Sequence, residues 1–336
     1  MDSKNSSKLK LLCVLELLKK YSDEEHPVTA QTLCKLLKTH YDIAAERKSV
    51  YSDIECLAAS GVNIVKVSRK GFFLAERTFE LAEIRLLQDA VLAAGFVTDR
   101  RSREICEKLC GELSVYQAQR VRLQTHFEGR PKSENEHFIY SVDTIQRAIA
   151  EGRRVEFSYY KRRINGGMVT RELVRTHVVS PYALIWDRDK YYLVGNYDKY
   201  GDLSHYRIDR MGSVRILDER SRPFEEVCGY SGSFDPADYA RKAFGMYSGE
   251  QAQIELLCSL DLLERVADKF GSAAFYESEG GCFRVKAEAL LSEGLVEWLL
   301  TLGASCRVVE PEDLRRRLRE RARAVLMAQS DKETLT

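Results

Sequence analysis

The sequence predicts a multi-domain α+β chain, and three observations carry that prediction. Its 336 residues exceed what one ordinary core fills. The hydrophobic pattern changes along the chain, from helical spacing through about Tyr116 to short Val-, Ile- and Tyr-rich runs, then to strands alternating with helices. At 44% hydrophobic and 31% charged residues the composition is globular, which excludes a disordered or fibrous chain.

The elements follow in order. In residues 9–20, Leu11, Leu12, Leu15 and Leu18 form one stripe of an amphipathic helix. His26-Pro27 breaks the chain, and Thr29 caps a second helix over 30–39 built on Leu33, Leu36 and Leu37. A third helix, about 44–59, turns Val50, Ile54 and Leu57 to the core. Lys48, Tyr51, Ser52 and Ala45 project from its opposite side, with Arg47 on the flank. Gly61 ends it. Residues 63–67 and 72–74 then read as a β-hairpin with Lys66, Arg69 and Lys70 around its turn. Three short helices and a hairpin make a winged helix-turn-helix, assigned to residues 1–77.

Residues 78–135 read as a helical linker, with Leu81, Ile84, Leu87 and Val91, then Ile105, Leu109 and Leu113, at helical spacing. Residues 128–136 are polar with Gly and Pro and form a connection. Residues 136–225 follow with a helix near 143–150 and then short strands: VEFSYY, residues 168–180, PYALIW, KYYLVGNY, LSHYRID and SVRIL. That spacing favours a small barrel. Residues 226–336 alternate strand and helix (QIELLCSL, DLLERVADKF, CFRVKAEAL, SEGLVEWLLTLG, SCRVVEP) and end in a basic helix from Glu312, forming an α+β extension.

No apolar run is long enough for a membrane span and the start is polar, so a cytoplasmic chain with no membrane contact is expected. The nine cysteines form no CxxC and read as reduced, buried thiols. Cys106 and Cys110, four apart, leave a redox or metal pair as the alternative. The six histidines show no metal-ligand spacing, and the nucleophile-elbow, P-loop and dinucleotide patterns are missing. No catalytic residue, cofactor or metal is predicted. A net charge of +1 names no partner, so any nucleic-acid contact must come from local clustering.

The motifs Ser180-Pro-Tyr-Ala-Leu-Ile-Trp186, Tyr191-Tyr192-Leu193 and Arg207-Ile208-Asp209-Arg210, in this order, resemble the core of the WYL domain family, with Tyr191 where the family has its naming Trp. The order of modules along the whole chain is similar to that of WYL transcriptional regulators. The family's recognition helix often reads Thr-Val-Tyr-Arg-Asp-Ile. Ser49-Val50-Tyr51-Ser52-Asp53-Ile54 is similar, with Ser52 where a phosphate-binding Arg is frequent.

The resemblance implies an Sm/SH3-like barrel and a DNA-binding regulator that senses a ligand. Arg47, Lys48, Ser49, Tyr51 and Ser52 would meet a double-stranded operator in the major groove, and Lys66, Arg69 and Lys70 its phosphates or minor groove. The family's ligand groove corresponds here to Ser180, Tyr182, Tyr192, His205, Arg207 and Arg210, a set suited to a nucleotide, single-stranded nucleic acid or other anion. Strand alternation puts His205, Arg207 and Asp209 on one face, and Arg207 pairing structurally with Asp209 stays open. A homodimer fits a two-fold operator. The alternative is an accessory protein that binds nucleic acid to modulate a partner. The terminal basic helix suits nucleic acid, a partner subunit or plain solvent.

Overall fold

The computed structural model describes residues 3–124, 131–227, 234–271 and 274–330; Cys228 and residues 128–130 of the expected connection lie outside them. The chain divides into two compact units, Met1–Ser133 and Glu134–Thr336.

The first unit opens with α1 (Ser3–Tyr21), α2 (Ala30–Tyr41) and α3 (Arg47–Ala59), then the hairpin β1 (Ile64–Val67) and β2 (Gly71–Leu74). Val14, Leu17, Leu18, Leu33, Leu37, Val50, Ile54, Leu57 and Phe72 form its core. On α1 the expected stripe shifts. Leu18 is buried, but Leu12 is 59% exposed, because the helix packs through Val14, Leu17 and Leu18, which share one helical face. The Thr29 hydroxyl accepts from the Thr32 amide at 3.1 Å and starts α2 as expected; Asp42, at φ 54, ends it. The hairpin gains a third segment, since Val28 and Phe72 exchange two backbone hydrogen bonds of 2.8 Å.

Helices α4 (Leu81–Ala93), α5 (Asp99–Cys110) and α6 (Val115–Gln124) complete the unit. Leu87 is 38% exposed, and α5 is rotated from the expected face: Ser102, Cys106 and Cys110 are buried, while Leu109 packs half-buried on the same core and Ile105 is half-buried. Gln88 explains that rotation: its amide donates to the Cys106 carbonyl at 3.1 Å and to the Cys110 sulfur at 3.2 Å. Cys106 and Cys110 are thus buried structural thiols, while Cys56 is exposed, against expectation. Among the described residues no group of His, Cys, Asp and Glu could hold a metal ion, and no helix is long and apolar enough to cross a membrane.

The second unit begins with α7 (Phe138–Glu151), packed on an antiparallel five-stranded sheet. Its strands are β3 (Arg153–Asn165), β4 (Met168–Asp187), β5 (Lys190–Asn196), β6 (Leu203–Arg207) and β7 (Met211–Arg220), in the order β6-β5-β4-β3-β7. The two strands expected at 168–180 and 181–186 are one. Proline has no N–H for the ladder, and the sheet absorbs Pro181 through a register shift between Pro181 and Ala183. One face carries Ala183, Ile185, Val194 and Leu203, covered by Tyr239 and Ala243 at helix α8 (Pro236–Lys242), by Met246 and by Leu290.

Beyond α8 come β8 (Glu250–Ser259), α9 (Leu263–Phe270), β9 (Phe275–Glu279), β10 (Cys282–Leu291), α10 (Glu293–Thr301), β11 (Cys306–Glu310) and α11 (Glu312–Ser330). The antiparallel order β11-β8-β10-β9 joins a βαββαβ chain, the ferredoxin-like arrangement, around Leu256, Val266, Phe270, Val285, Leu295, Leu299 and Val308. Leu314 anchors the first turn of α11 in this core, whereas residues 321–330 are exposed all round. Strand β9 and helix α8 are not legible in the hydrophobic pattern.

Candidate nucleic-acid interface and ligand face

The core-facing positions of α3 fix what its outer side presents. Val50, Ile54 and Leu57 are buried, so Arg47, Lys48, Tyr51 and Ser52 are left exposed. Ser49 departs from this set. It is half-buried, and its hydroxyl accepts from the Lys10 ammonium of α1, which also pairs with the buried Asp53 carboxylate at 2.9 Å. Ser49 therefore helps lock α3 to α1 instead of projecting outward.

Tyr51 meets the Phe72 ring edge-on, with centroids 5.7 Å apart, and the Lys66 ammonium lies 6.0 Å from the same ring. One aromatic thus registers the hairpin beside the helix. Arg69 takes φ 60 in the hairpin turn, a left-handed conformation unusual outside glycine, and stands exposed beside Lys70. Arg47, Lys48, Lys66, Arg69 and Lys70 have no carboxylate partner among the described residues. Their charge is available to an external anion.

In the second unit the six expected ligand-face residues separate into distinct settings. Ser180 is fully buried and accepts from the Arg222 amide at 2.9 Å; Tyr182 donates to the Arg222 carbonyl at 2.9 Å and packs on Phe224. Burial pushes the Tyr182 hydroxyl up to about 12. Both side chains hold the segment at Arg222 against β4.

His205 and Arg207 share a sheet face, as alternation requires, opposite Val194 and Tyr192 of β5. His205 is covered, however. Its Nε2 lies 2.8 Å from the Tyr239 hydroxyl of α8 beneath a stacked ring, and burial pulls its pKa down to about 4. Helix α8, absent from the sequence reading, closes this part of the face.

Arg207 makes two bonds to Asp209, Nε at 3.1 Å and Nη2 at 2.7 Å, while its backbone amide donates to the Tyr159 hydroxyl at 3.2 Å. The strand ends at Arg207 and residues 208–210 form a 3-10 turn, so the turn, not continued alternation, brings Asp209 onto the guanidinium. The structural pairing left open by the sequence is the one observed. Tyr192 is half-buried beside Arg207, and burial raises its hydroxyl pKa. Arg210, half-buried in the turn, has no ion pair or hydrogen bond from its side chain among the described residues. Tyr159 and Tyr239 are the members sequence reasoning did not place, and no local signal pointed to either; Asp209 was already set beside Arg207 by the Arg-x-Asp spacing.

These features define a class: a chain with a helix-and-hairpin head and a second unit that joins a five-stranded sheet to a ferredoxin-like layer. Residues 141–216 match the WYL domain and residues 250–326 the WCX domain, so the chain carries a WYL domain with a WCX domain behind it. No curated protein matches it in sequence. Among solved structures, proteasome accessory factor B/C (PafBC) of Arthrobacter aurescens is 16% identical with a TM-score of 0.28, over 96% of this chain and 49% of that one. The chain thus spans about half of that protein's length. A CRISPR Cas-related protein is 13% identical with a TM-score of 0.37, over 98% of this chain and 87% of that one. At such scores neither likeness carries weight beyond the alignment itself.

Proposed function

We propose that the chain is a DNA-binding transcriptional regulator whose N-terminal winged helix-turn-helix reads an operator. The observation that carries this reading is the exposed side of α3 with the hairpin beside it: Arg47, Lys48, Lys66, Arg69 and Lys70, five cations without carboxylate partners among the described residues. An α-helix fits the major groove, and exposed Lys and Arg exchange bound counterions for phosphate contacts. Tyr51 and Ser52 complete the base-facing surface, and Ser49 supports it from behind. Removing both Lys48 and Arg69 by alanine substitution lowers duplex affinity and reduces the slope of log affinity against log salt by about 2. Unchanged affinity and slope in that double variant refute the assignment.

In this reading the WYL face responds to an anionic effector, a nucleotide or short single-stranded nucleic acid, received at Arg207, Tyr192 and Arg210. Since the Arg207 fork is held by Asp209, the anion enters by displacing that carboxylate. Calorimetric titration of nucleotides and short oligonucleotides into Asp209→Asn and Arg207→Ala proteins tests it. Tighter binding by the first and loss by the second are expected; equal binding by both removes the site. The functional unit is a homodimer, whose two heads address two half-sites.

A further inference from the structure

The longest hairpin in the molecule is used by neither the head nor the WYL face. We propose that the distal half of the β3–β4 hairpin, residues 160–175, is a basic ribbon that binds the phosphate backbone of duplex DNA. This assigns a duplex contact to the second unit and so goes beyond both the head reading and the effector reading.

Pairing defines the ribbon. Strands β3 and β4 stay in register from Tyr160–Leu173 to Asn165–Met168, about 20 Å at the usual strand rise. The neighbouring strands stop short of it. The β7 ladder ends at Tyr159 and the β5 ladder begins at Ser180, which leaves both edges of the ribbon unpaired. Residues 161–169 are exposed, and the tip turns through Gly166 and Gly167 at φ 55 and 81.

The base is fixed in direction. Arg171 stacks 4.5 Å from the Tyr160 ring and donates to the Met211 carbonyl at 3.1 Å, while Tyr160 lies over Gly212, where a Cβ would come within 3.0 Å of the ring. The ribbon thus leaves the sheet as a supported arm.

Its charge is nearly of one sign: Lys161, Arg162, Arg163, Arg171 and Arg175 against Glu172 alone. Glu172 pairs with Arg163 at 2.6 Å, and Lys161, Arg162 and Arg175 have no ion pair or hydrogen bond from their side chains among the described residues. Ile164, Met168 and Val169 are 78%, 69% and 66% exposed at the tip. Aromatic anchors are enriched at protein–protein interfaces, and residues 161–175 hold none. Free cations flanking a narrow apolar tip suit a duplex, since a two-stranded ribbon fits a groove and apolar tips wedge against base steps.

The test uses the full chain and a 30-base-pair duplex of arbitrary sequence, with affinity followed by anisotropy across a salt series. Replacing Lys161, Arg162 and Arg175 by alanine is expected to flatten the log–log salt slope by about 2 to 3 and weaken binding at least about tenfold at moderate salt. Lysine in place of Arg162 and Arg175, with Lys161 kept, is expected to restore the slope. An alanine variant that folds by circular dichroism and keeps the wild-type slope overturns the proposal. So does a variant whose only change is a new sedimentation mass, which would make the cations a guard against edge pairing or a subunit contact. Repeating the series in the Lys48→Ala, Arg69→Ala background separates the two readings: the arm's effect persists there if the arm acts by itself, whatever the head variant does alone, and its disappearance there overturns the proposal.

Discussion

Three side chains show how local chemistry sorts the candidate residues. His205 is held neutral beneath Tyr239, its pKa drawn from an ordinary 6.5 down to about 4 by burial. The unfolded chain takes up a proton there near 6.5 and the folded chain only near 4, so the unfolded state binds more protons between those values. Stability from this site is therefore full above about pH 6.5 and is lost as pH falls through about 4. His177, lowered chiefly by burial and secondly by Arg175, acts in the same direction. Urea midpoints at about pH 7.5 and about pH 5 should differ less in His205→Gln than in the wild type; an equal acid loss in both would assign it elsewhere. Helical periodicity made the exposure of Lys48 and Tyr51 legible, because three buried apolar neighbours on α3, Val50, Ile54 and Leu57, fix the outer face. The inward turn of Ser49 was not legible, since Lys10 lies 39 positions away and only tertiary packing joins them. The cover on His205 was hidden for the same reason: Tyr239 is 34 positions off on a short helix.

At the scale of elements, local signals succeeded where a cap or turn residue stated its own geometry. Thr29 is such a case, and Thr29→Ala should cost about 1 kcal/mol in urea unfolding by leaving the Thr32 amide without its acceptor. A loss indistinguishable from zero would mean that water replaces the hydroxyl. Gly71 makes a stronger demand, with φ 124 and a Cβ position 2.2 Å from the Val28 carbonyl oxygen. Gly71→Ala should therefore destabilise the first unit by more than about 2 kcal/mol and loosen the hairpin that carries Arg69 and Lys70. Thermal melting checks the first effect and duplex affinity the second. Pattern reading failed where packing on both faces or a missing donor blurred the period. Pro181 looked like a boundary, yet β4 runs through it because the register shift spares the absent N–H. On α5, Ser102, Cys106 and Cys110 are less hydrophobic than Ile105 and Leu109 yet more deeply buried, with Gln88 hydrogen-bonded to Cys106 and Cys110.

For the whole molecule, the change of period was legible: helical along most of the first unit, strand-rich over the WYL match and alternating over the WCX match. What the period cannot carry is any coupling between the proposed effector face and the proposed DNA-binding head. If the WYL face biases the heads, a saturating effector must change operator affinity, and binding free energies require the operator to change effector affinity by the same factor. Equal operator affinity with and without effector would leave the second unit without that role. The central claim, that the head selects specific duplex sites, meets its most direct test in crosslinked, genome-wide mapping of the wild-type chain beside the Lys48→Ala, Arg69→Ala variant. Sharp peaks at a few promoters that disappear in the variant are predicted. Diffuse association with RNA, or promoter peaks that survive the variant, would contradict it.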